Sequence, residues 1–416
     1  MAPAEAHPAA RWVTMGRVRR ALPLVCLALL LAPSGGGASL LPLTTRLANA
    51  LAVPGNPTDA SGAVAVDLVT GRTVFARHAD LPLAPASNEK LTVSYAALHE
   101  LGPTYRFRTE VFGRGSQDGT VWHGDLFLKG FGDPTLTSLQ LERLAAQVSQ
   151  LGITTITGRV LGDESWFDGA RTAPGWKAAF FINECPPLSA LDVDRAVYDR
   201  HIARLPALAA AGTFRRLLHE HGVSAGAAGV GSAPENALAL GQVESDPLPV
   251  VLAEMDRESD NFAAEMVLKA IGAEVGDGGT TAAGAAIVTR DLAAAGVPLA
   301  GVRIVDGSGL SLSDRLTARA LAALLVAVWN DVDLRDPFWM SLPVAGVNGT
   351  LEKRLRRPPA FGAVRAKTGT TERASALSGY VRDRYGFAVL QNGWPVATWS
   401  ARKAQDRFAT ALASTL

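Results

Sequence analysis

The chain predicts an α/β fold in which an antiparallel sheet with helices is interrupted by an α+β insert. Three observations carry that expectation. Two strand-like segments lie near the start of the chain and three near its end. Helix-period segments dominate from about residue 248. Between the two halves, strand and helix patterns are mixed. Strands from both chain ends can share one sheet. That makes 57–104 and 245–416 one domain and 105–244 an insertion into it.

The N-terminus precedes any of this. MGRVRRALPLVCLALLLAPSGGGAS, from Met15, has the order of a secretory signal peptide. Arg17, Arg19 and Arg20 come first, a 12-residue apolar run from Ala21 to Ala32 follows, and Gly36 and Ala38 stand small-x-small after it. The run is shorter than the roughly 20 residues a spanning helix needs. Residues 1–38 are therefore read as a signal peptide, with Met15 as an alternative start. No stable membrane span is expected after its removal. Cleavage after Ala38 takes away four Arg and one Glu, moving the formal charge from +1 to −2. Nothing in that balance draws nucleic acid. Cys26 leaves with the apolar run, so Cys185 stands alone, without a disulfide, and is expected as a small buried hydrophobe.

Residues 39–56 read as leader and linker. Ala63 to Asp67 and Thr73 to Arg77 then alternate as two strands about a turn at Gly71. From Ser87 the period changes. Leu91, Leu98 and Leu101 stand at helical spacing, and Gly102-Pro103 ends the helix. In the insert, YRFRTEV and VWHGDLFLKGFGDP read as strands, with a turn region from Gly113 to Gly119, and Leu139 to Leu151 as an amphipathic helix. LPVVLAEM, NFAAEMVLKAIG, GAAIVTRDLAAAG and ARALAALLVAVW are helical. PAFGAVRAKTGT and ASALSGYVRDRYGFAVLQNGW supply three strands, with turns at Gly369 to Glu372 and Arg382 to Gly386. Ala401 to Leu416 closes as a helix.

Three short motifs bear on chemistry. Ser87-Asn88-Glu89-Lys90 puts a hydroxyl and an amine three residues apart, on one face of a helix. A serine hydroxyl needs a base within hydrogen-bond reach, and a lysine serves if burial or a nearby cation keeps it neutral. Alone, Ser87 would be an ordinary helix cap with Glu89 in the first turn. Ser259-Asp260-Asn261 opens a helix whose Phe262, Met266 and Ala270 are in register. Alone it is another cap. Lys367-Thr368-Gly369 directly follows a predicted strand, and alone it is a strand-end turn. In this order the three form the S-x-x-K, S-D-N and K-T-G set of penicillin-recognising serine enzymes. Three independent coincidences in matching local settings are improbable.

The chain resembles the D-alanyl-D-alanine carboxypeptidase/endopeptidase family of low-molecular-mass class C penicillin-binding proteins, over nearly all of its mature length. PASNEKL, FGDPTL (Phe131 to Leu136), PPLSAL (Pro186 to Leu191), DGSGLS (Asp306 to Ser311) and LPVAGVNGTL (Leu342 to Leu351) carry the resemblance. It implies a serine transpeptidase/β-lactamase-like domain. By the same resemblance Ser87 is the nucleophile and Lys90 its base. Ser259 relays a proton to the leaving group and Asn261 holds the substrate's peptide carbonyl. Lys367 sets a positive field and Thr368 binds the terminal carboxylate. The backbone N–H groups of Ser87 and Thr370, just past Gly369, form the oxyanion hole. Peptidoglycan stem peptides are the implied substrates and β-lactam antibiotics the implied inhibitors, outside the membrane, with no cofactor or metal. A β-lactamase and a catalytically weak peptidoglycan-binding protein remain as alternatives.

Two departures stand out. The segment after PPLSAL is short for the family. Glu89 stands where the family usually carries an apolar residue; adjacent helix positions diverge by roughly 100°, so its carboxylate is expected to point to solvent. Other candidates are weaker. His219 to His221 have i, i+2 spacing, which spreads ligands around a helix, and read as a solvated face. Asp133 and Asp306 lie in Gly-rich loops and read as turn formers.

Overall fold

The computed structural model describes residues 41–198 and 200–415. The signal-peptide reading of 1–38, with Met15 and Cys26, lies outside them. Helix α1 (Leu43–Leu51) occupies the stretch expected as linker. It forms because Leu47, Ala50 and Leu51 present one apolar face to a cluster that includes Phe408 and Leu412. Strands β1 (Ser61–Asp67) and β2 (Thr73–Arg77) follow. A single 3-10 turn, Ala86–Glu89, runs straight into α2 (Lys90–Leu101). Gly102, at φ 79°, ends that helix as expected. Every residue from Lys90 to Leu98 is buried. Helix α2 is therefore a core helix that meets solvent only in its last turn, at His99.

The insert holds β3 (Arg108–Asp118), β4 (Val121–Gly130), α3 (Ser138–Gln150), β5 (Thr155–Ile156), β6 (Val160–Asp163), β7 (Val197–Tyr198), β8 (His201–Ile202), α4 (Pro206–Glu220), β9 (Ser224–Ala225), β10 (Ala228–Val230) and β11 (Leu238–Glu244). Its main sheet runs β10-β6-β4-β3-β11, with β5 and β9 continuing beside β4. Thr137 and Gln140 form a reciprocal cap on α3. Residues 113–118 are strand, not turn. The β3–β4 ladder runs from Thr109↔Gly130 to Asp118↔Val121, which leaves only Gly119 and Thr120 to reverse the chain. Two glycines explain the difference. Gly115 and Gly124 face each other at φ 152° and 151°, and a Cβ on either would strike a carbonyl of the opposite strand. They pair closely instead of turning.

The remaining chain forms α5 (Leu248–Glu258), α6 (Asn261–Val275), α7 (Thr281–Ala294), α8 (Ala318–Asn330), α9 (Arg335–Ser341), β12 (Val364–Thr370), β13 (Ala374–Val381), β14 (Tyr385–Asn392) and α10 (Thr398–Ala413). The five-stranded sheet has the order β12-β13-β14-β1-β2, antiparallel throughout. Strands from both chain ends thus share one sheet, as the sequence predicted. Strands β1, β13 and β14 bury both faces, whereas the edge strand β2 is part-exposed along its length. Val64 and Val66 pack with α2, α6 and α8 on one side. Ala63 and Ala65 pack with α1 and α10 on the other. Each buried Leu or Phe in these layers contributes about 1.5–3 kcal/mol. Lys367, Thr368 and Gly369 lie inside β12 and not after it, because the ladder with β13 extends to Thr370↔Ser375. Strand β12 is an edge strand of the sheet.

Candidate active site

The start of α2, the α5–α6 junction and β12 meet on one side of the sheet. Ser87 is half-buried in the 3-10 turn, and its side chain caps nothing. The capping reading of Ser87 does not hold. Ala86, just before it, is held at φ 48°, a left-handed conformation that costs about 1–2 kcal/mol for a non-glycine residue. Gly309 makes that conformation possible to hold: a Cβ there would strike the Ala86 carbonyl. Lys90 lies fully buried beneath the serine.

The Lys90 amine has three partners. It stands 3.1 Å from Ser87 Oγ, 2.9 Å from Asn261 Oδ1 and 2.8 Å from the Ser308 carbonyl. Asn261 Oδ1 and the Ser308 oxygen only accept. A neutral amine therefore spends its two N–H groups on them and turns its lone pair toward the serine hydroxyl. After taking the proton it keeps all three contacts. Burial pushes the Lys90 pKa down to about 8, against the pull of Asp306, Glu265 and Asp256. Lys367, also fully buried, donates to Ser259 Oγ at 2.8 Å and to the Thr368 carbonyl at 3.1 Å. Burial, then the charge on Lys90, lowers its pKa to about 7.

Ser259 ends α5 in the left-handed conformation at φ 59°. Asp260, not Ser259, caps α6, accepting from Ala263 N–H at 3.2 Å. That frees both Ser259 and Asn261 to face the cleft. Asn261 Nδ2 donates to the Glu184 carbonyl at 3.0 Å. Strand β12 sits tight against the serine turn. Asn88 Nδ2 donates to the Lys367 carbonyl at 2.9 Å. A Cβ on Gly369 would come within 3.1 Å of Ser87 N and 2.9 Å of the Pro85 carbonyl. Thr368 Oγ1 donates to Thr350 Oγ1 at 2.8 Å, and Thr370 accepts from Arg402 at 3.1 Å. All eight residues singled out in the sequence belong to this constellation. A cleft of about 530 Å³, lined in part by Ala86, Lys177, Phe180, Leu310 and Thr370, opens beside it.

Glu89 does not point to solvent. It is fully buried, because the start of α2 has no exposed face, and its carboxyl accepts from Thr92 Oγ1 at 2.8 Å. It makes no hydrogen bond to Lys90. Burial pushes its pKa well above its ordinary value, which favours the neutral form. Cys185 is buried and its thiol is raised by burial, as expected of a packing residue. His219 to His221 end α4 at the surface.

Sequence reasoning missed the acids behind the site. Asp306 accepts from Gly309 N–H, Ser311 N–H and Trp176 Nε1 at 2.7, 2.6 and 2.8 Å. Glu265 accepts from the Gly307 and Ser308 N–H groups at 3.0 and 2.8 Å. Together they hold the loop that offers the Ser308 carbonyl to Lys90. Asp306 is a turn former, as read, but one that positions a lysine. Asp256, buried, accepts from Ser94 and Ser341, both at 2.8 Å. DGSGLS was the available signal for Asp306; Glu265 and Asp256 lay unmarked within helices.

A hydroxyl over a buried amine, backbone N–H groups beside it and a second buried lysine form a site for serine acyl transfer. The comparisons with known proteins agree. Residues 43–204 and 200–415 match the D-Ala-D-Ala carboxypeptidase 3 (S13) family. The chain is 31% identical to a D-alanyl-D-alanine carboxypeptidase of Actinomadura sp. (strain R39), over 91% of this chain and 88% of the relative. Its fold matches crystal structures of penicillin binding protein 4 from Haemophilus influenzae, with 21% identity, a TM-score of 0.78 and coverage of 89% and 98%. The same protein complexed with a β-lactam matches at 23% identity, a TM-score of 0.71 and the same coverage. This chain belongs to the D-Ala-D-Ala carboxypeptidase 3 (S13) family and is a serine-type hydrolase of that kind.

Proposed function

We propose that the chain is an exported peptidase that removes D-Ala from peptidoglycan stem peptides through an acyl-enzyme on Ser87. Neutral Lys90 takes the Ser87 proton as Oγ bonds to the carbonyl carbon of the penultimate residue. The N–H groups of Ser87 and Thr370 hold the oxyanion, a contribution of roughly 3–4 kcal/mol per donor in other hydrolases. Lys90 and Ser259 return the proton to the leaving D-Ala amine. Water then cleaves the ester and restores the serine. Lys367 and Thr368 hold the substrate's terminal carboxylate. Asn261 Nδ2 holds the substrate's peptide carbonyl in place of the Glu184 carbonyl it now meets.

One observation carries this reading. Ser87 Oγ lies 3.1 Å from an amine whose other two partners can only accept. The buried, unpaired Glu89 counts against the weak binding-protein alternative. We further propose that 1–38 is a signal peptide, so that action is periplasmic or at the cell wall, and that 57–104 with 245–416 is the catalytic domain around the insert at 105–244. Among the described residues no helix is long and apolar enough to cross a membrane. The test is D-Ala release from a soluble diacyl-Lys-D-Ala-D-Ala tripeptide by the mature chain and by the Ser87→Ala variant. Release by the wild type alone supports the assignment, and equal release by both would overturn it.

A further inference from the structure

A second concavity lies between α1 and α10. It is an open groove of about 880 Å³. Arg46, Arg354, Arg402, Lys403 and Arg407 line it, with Asp406 as its one acid. The spacing on α10 explains how it arises. Ala401, Ala404, Phe408 and Leu412 turn inward, so Trp399, Arg402, Lys403, Asp406 and Arg407 form the outer stripe. Asp406 is already engaged by Arg354, at 2.7 Å. The other four cations have no acidic partner in the groove. Partial burial, then the proximity of Arg354, holds Arg402 below the ordinary guanidinium pKa. Like charges crowded this way, on a chain whose mature formal charge is negative, are relieved by an anion.

Two further features narrow the occupant. Trp399 is 70% exposed, and Lys403 Nζ sits 4.5 Å from its ring centre. An exposed indole face offers an apolar platform that the face of a sugar ring can cover. Arg402 also donates to Thr370 Oγ1, so the groove abuts the catalytic end of β12. The occupant should therefore carry negative charge and sugar rings together, and should reach the catalytic cleft. We infer that this groove docks an anionic glycan strand of peptidoglycan, whose sugars cover Trp399 and whose neighbouring stem-peptide carboxylates meet the arginines. The inference rests on the substrate reading above.

The test uses purified wall sacculi, native and stripped of phosphodiester polymers. Wild type and a Lys403→Glu/Arg407→Glu variant are compared by pelleting and by D-Ala release, with Trp399→Ala as a second variant. Benzylpenicillin acylation and release from the soluble tripeptide monitor the catalytic site in each preparation. The double variant is expected to pellet on the order of tenfold more weakly on both kinds of sacculus at low salt, and to release D-Ala from them in proportion. Its acylation and tripeptide turnover should equal the wild type's. Trp399→Ala should lose pelleting that salt does not restore. Undiminished pelleting by both variants overturns the inference. So does wild-type pelleting that disappears once phosphodiester polymers are stripped, which would make those polymers the occupant. A wild type that pellets through the groove yet neither releases D-Ala from the tripeptide nor accepts penicillin leaves the groove standing and removes the catalytic reading.

Discussion

The two sheets of this chain bury very different material. In the insert, the layer between the β3–β4 hairpin and helices α3 and α4 is built from Val111, Leu126, Leu128, Leu144, Val148, Phe214 and their apolar neighbours, with the buried Asp133, Asp163 and Asp192 outside that cluster. Around the five-stranded sheet, Glu89, Lys90, Asp256, Glu265, Asp306, Asp314 and Lys367 are all fully or nearly fully buried. Burying charge is costly, and an apolar core of the same volume would be at least as stable. The difference teaches where function lies. The insert buries no lysine among its described residues, whereas the other region gives up stability to hold two depressed lysines beside Ser87 and Ser259.

The comparison can be broken by substitution, starting where the largest effect is expected. Ser87→Ala should abolish penicillin acylation while leaving the thermal midpoint within a few degrees, read by intact mass and by calorimetry. Lys90→Met should slow acylation on the order of 10³-fold, the scale of a lost general base, because among the described residues Lys90 is the one side chain hydrogen-bonded to Ser87 Oγ. In the wild type the acylation rate should climb with pH. The sign follows from burial: the neutral amine is the active form, so each unit below about 8 leaves about tenfold less of it, and the rate levels off above. A rate flat from pH 6 to 9, roughly, would remove Lys90 as the base.

Smaller effects sharpen the contrast. Leu144→Ala, fully buried in the insert, should cost about 2–5 kcal/mol of stability in denaturant unfolding. It should leave the acylation rate of the folded fraction unchanged. Glu89→Gln should change the acylation rate by less than about threefold. The amide keeps the shape of a carboxyl whose neutral form burial favours and which makes no hydrogen bond to Lys90. A large loss of acylation in that variant would show that the Glu89 charge is used.

Much of this was legible in the sequence. Strand alternation and the Gly102 stop located β1, β2 and α2, because those signals depend on local backbone preference. The three motifs named seven of the eight candidate site residues, since each chemistry demands a particular side chain, and the family resemblance added Thr370. What escaped depends on tertiary contact. Residues 43–51 looked like linker until α10 supplied the apolar face they pack against. Gly113 to Gly119 looked like a turn because paired glycines across a ladder cannot be told from turn glycines in one strand. Glu89 was expected in solvent because helical geometry gives its angle but not that α2 is surrounded on every side from Lys90 to Leu98. Glu265 and Asp256 carry no local mark at all; only the fold brings them beneath the lysines.

The central claim is that the buried Lys90 makes Ser87 a nucleophile. Intact mass of the purified mature protein, followed over hours after benzylpenicillin with Ser87→Ala alongside, tests it most directly. The account predicts one penicillin-sized adduct on the wild type, slow to decay, and none on the variant. No adduct on the wild type, or the same adduct on both proteins, would contradict it.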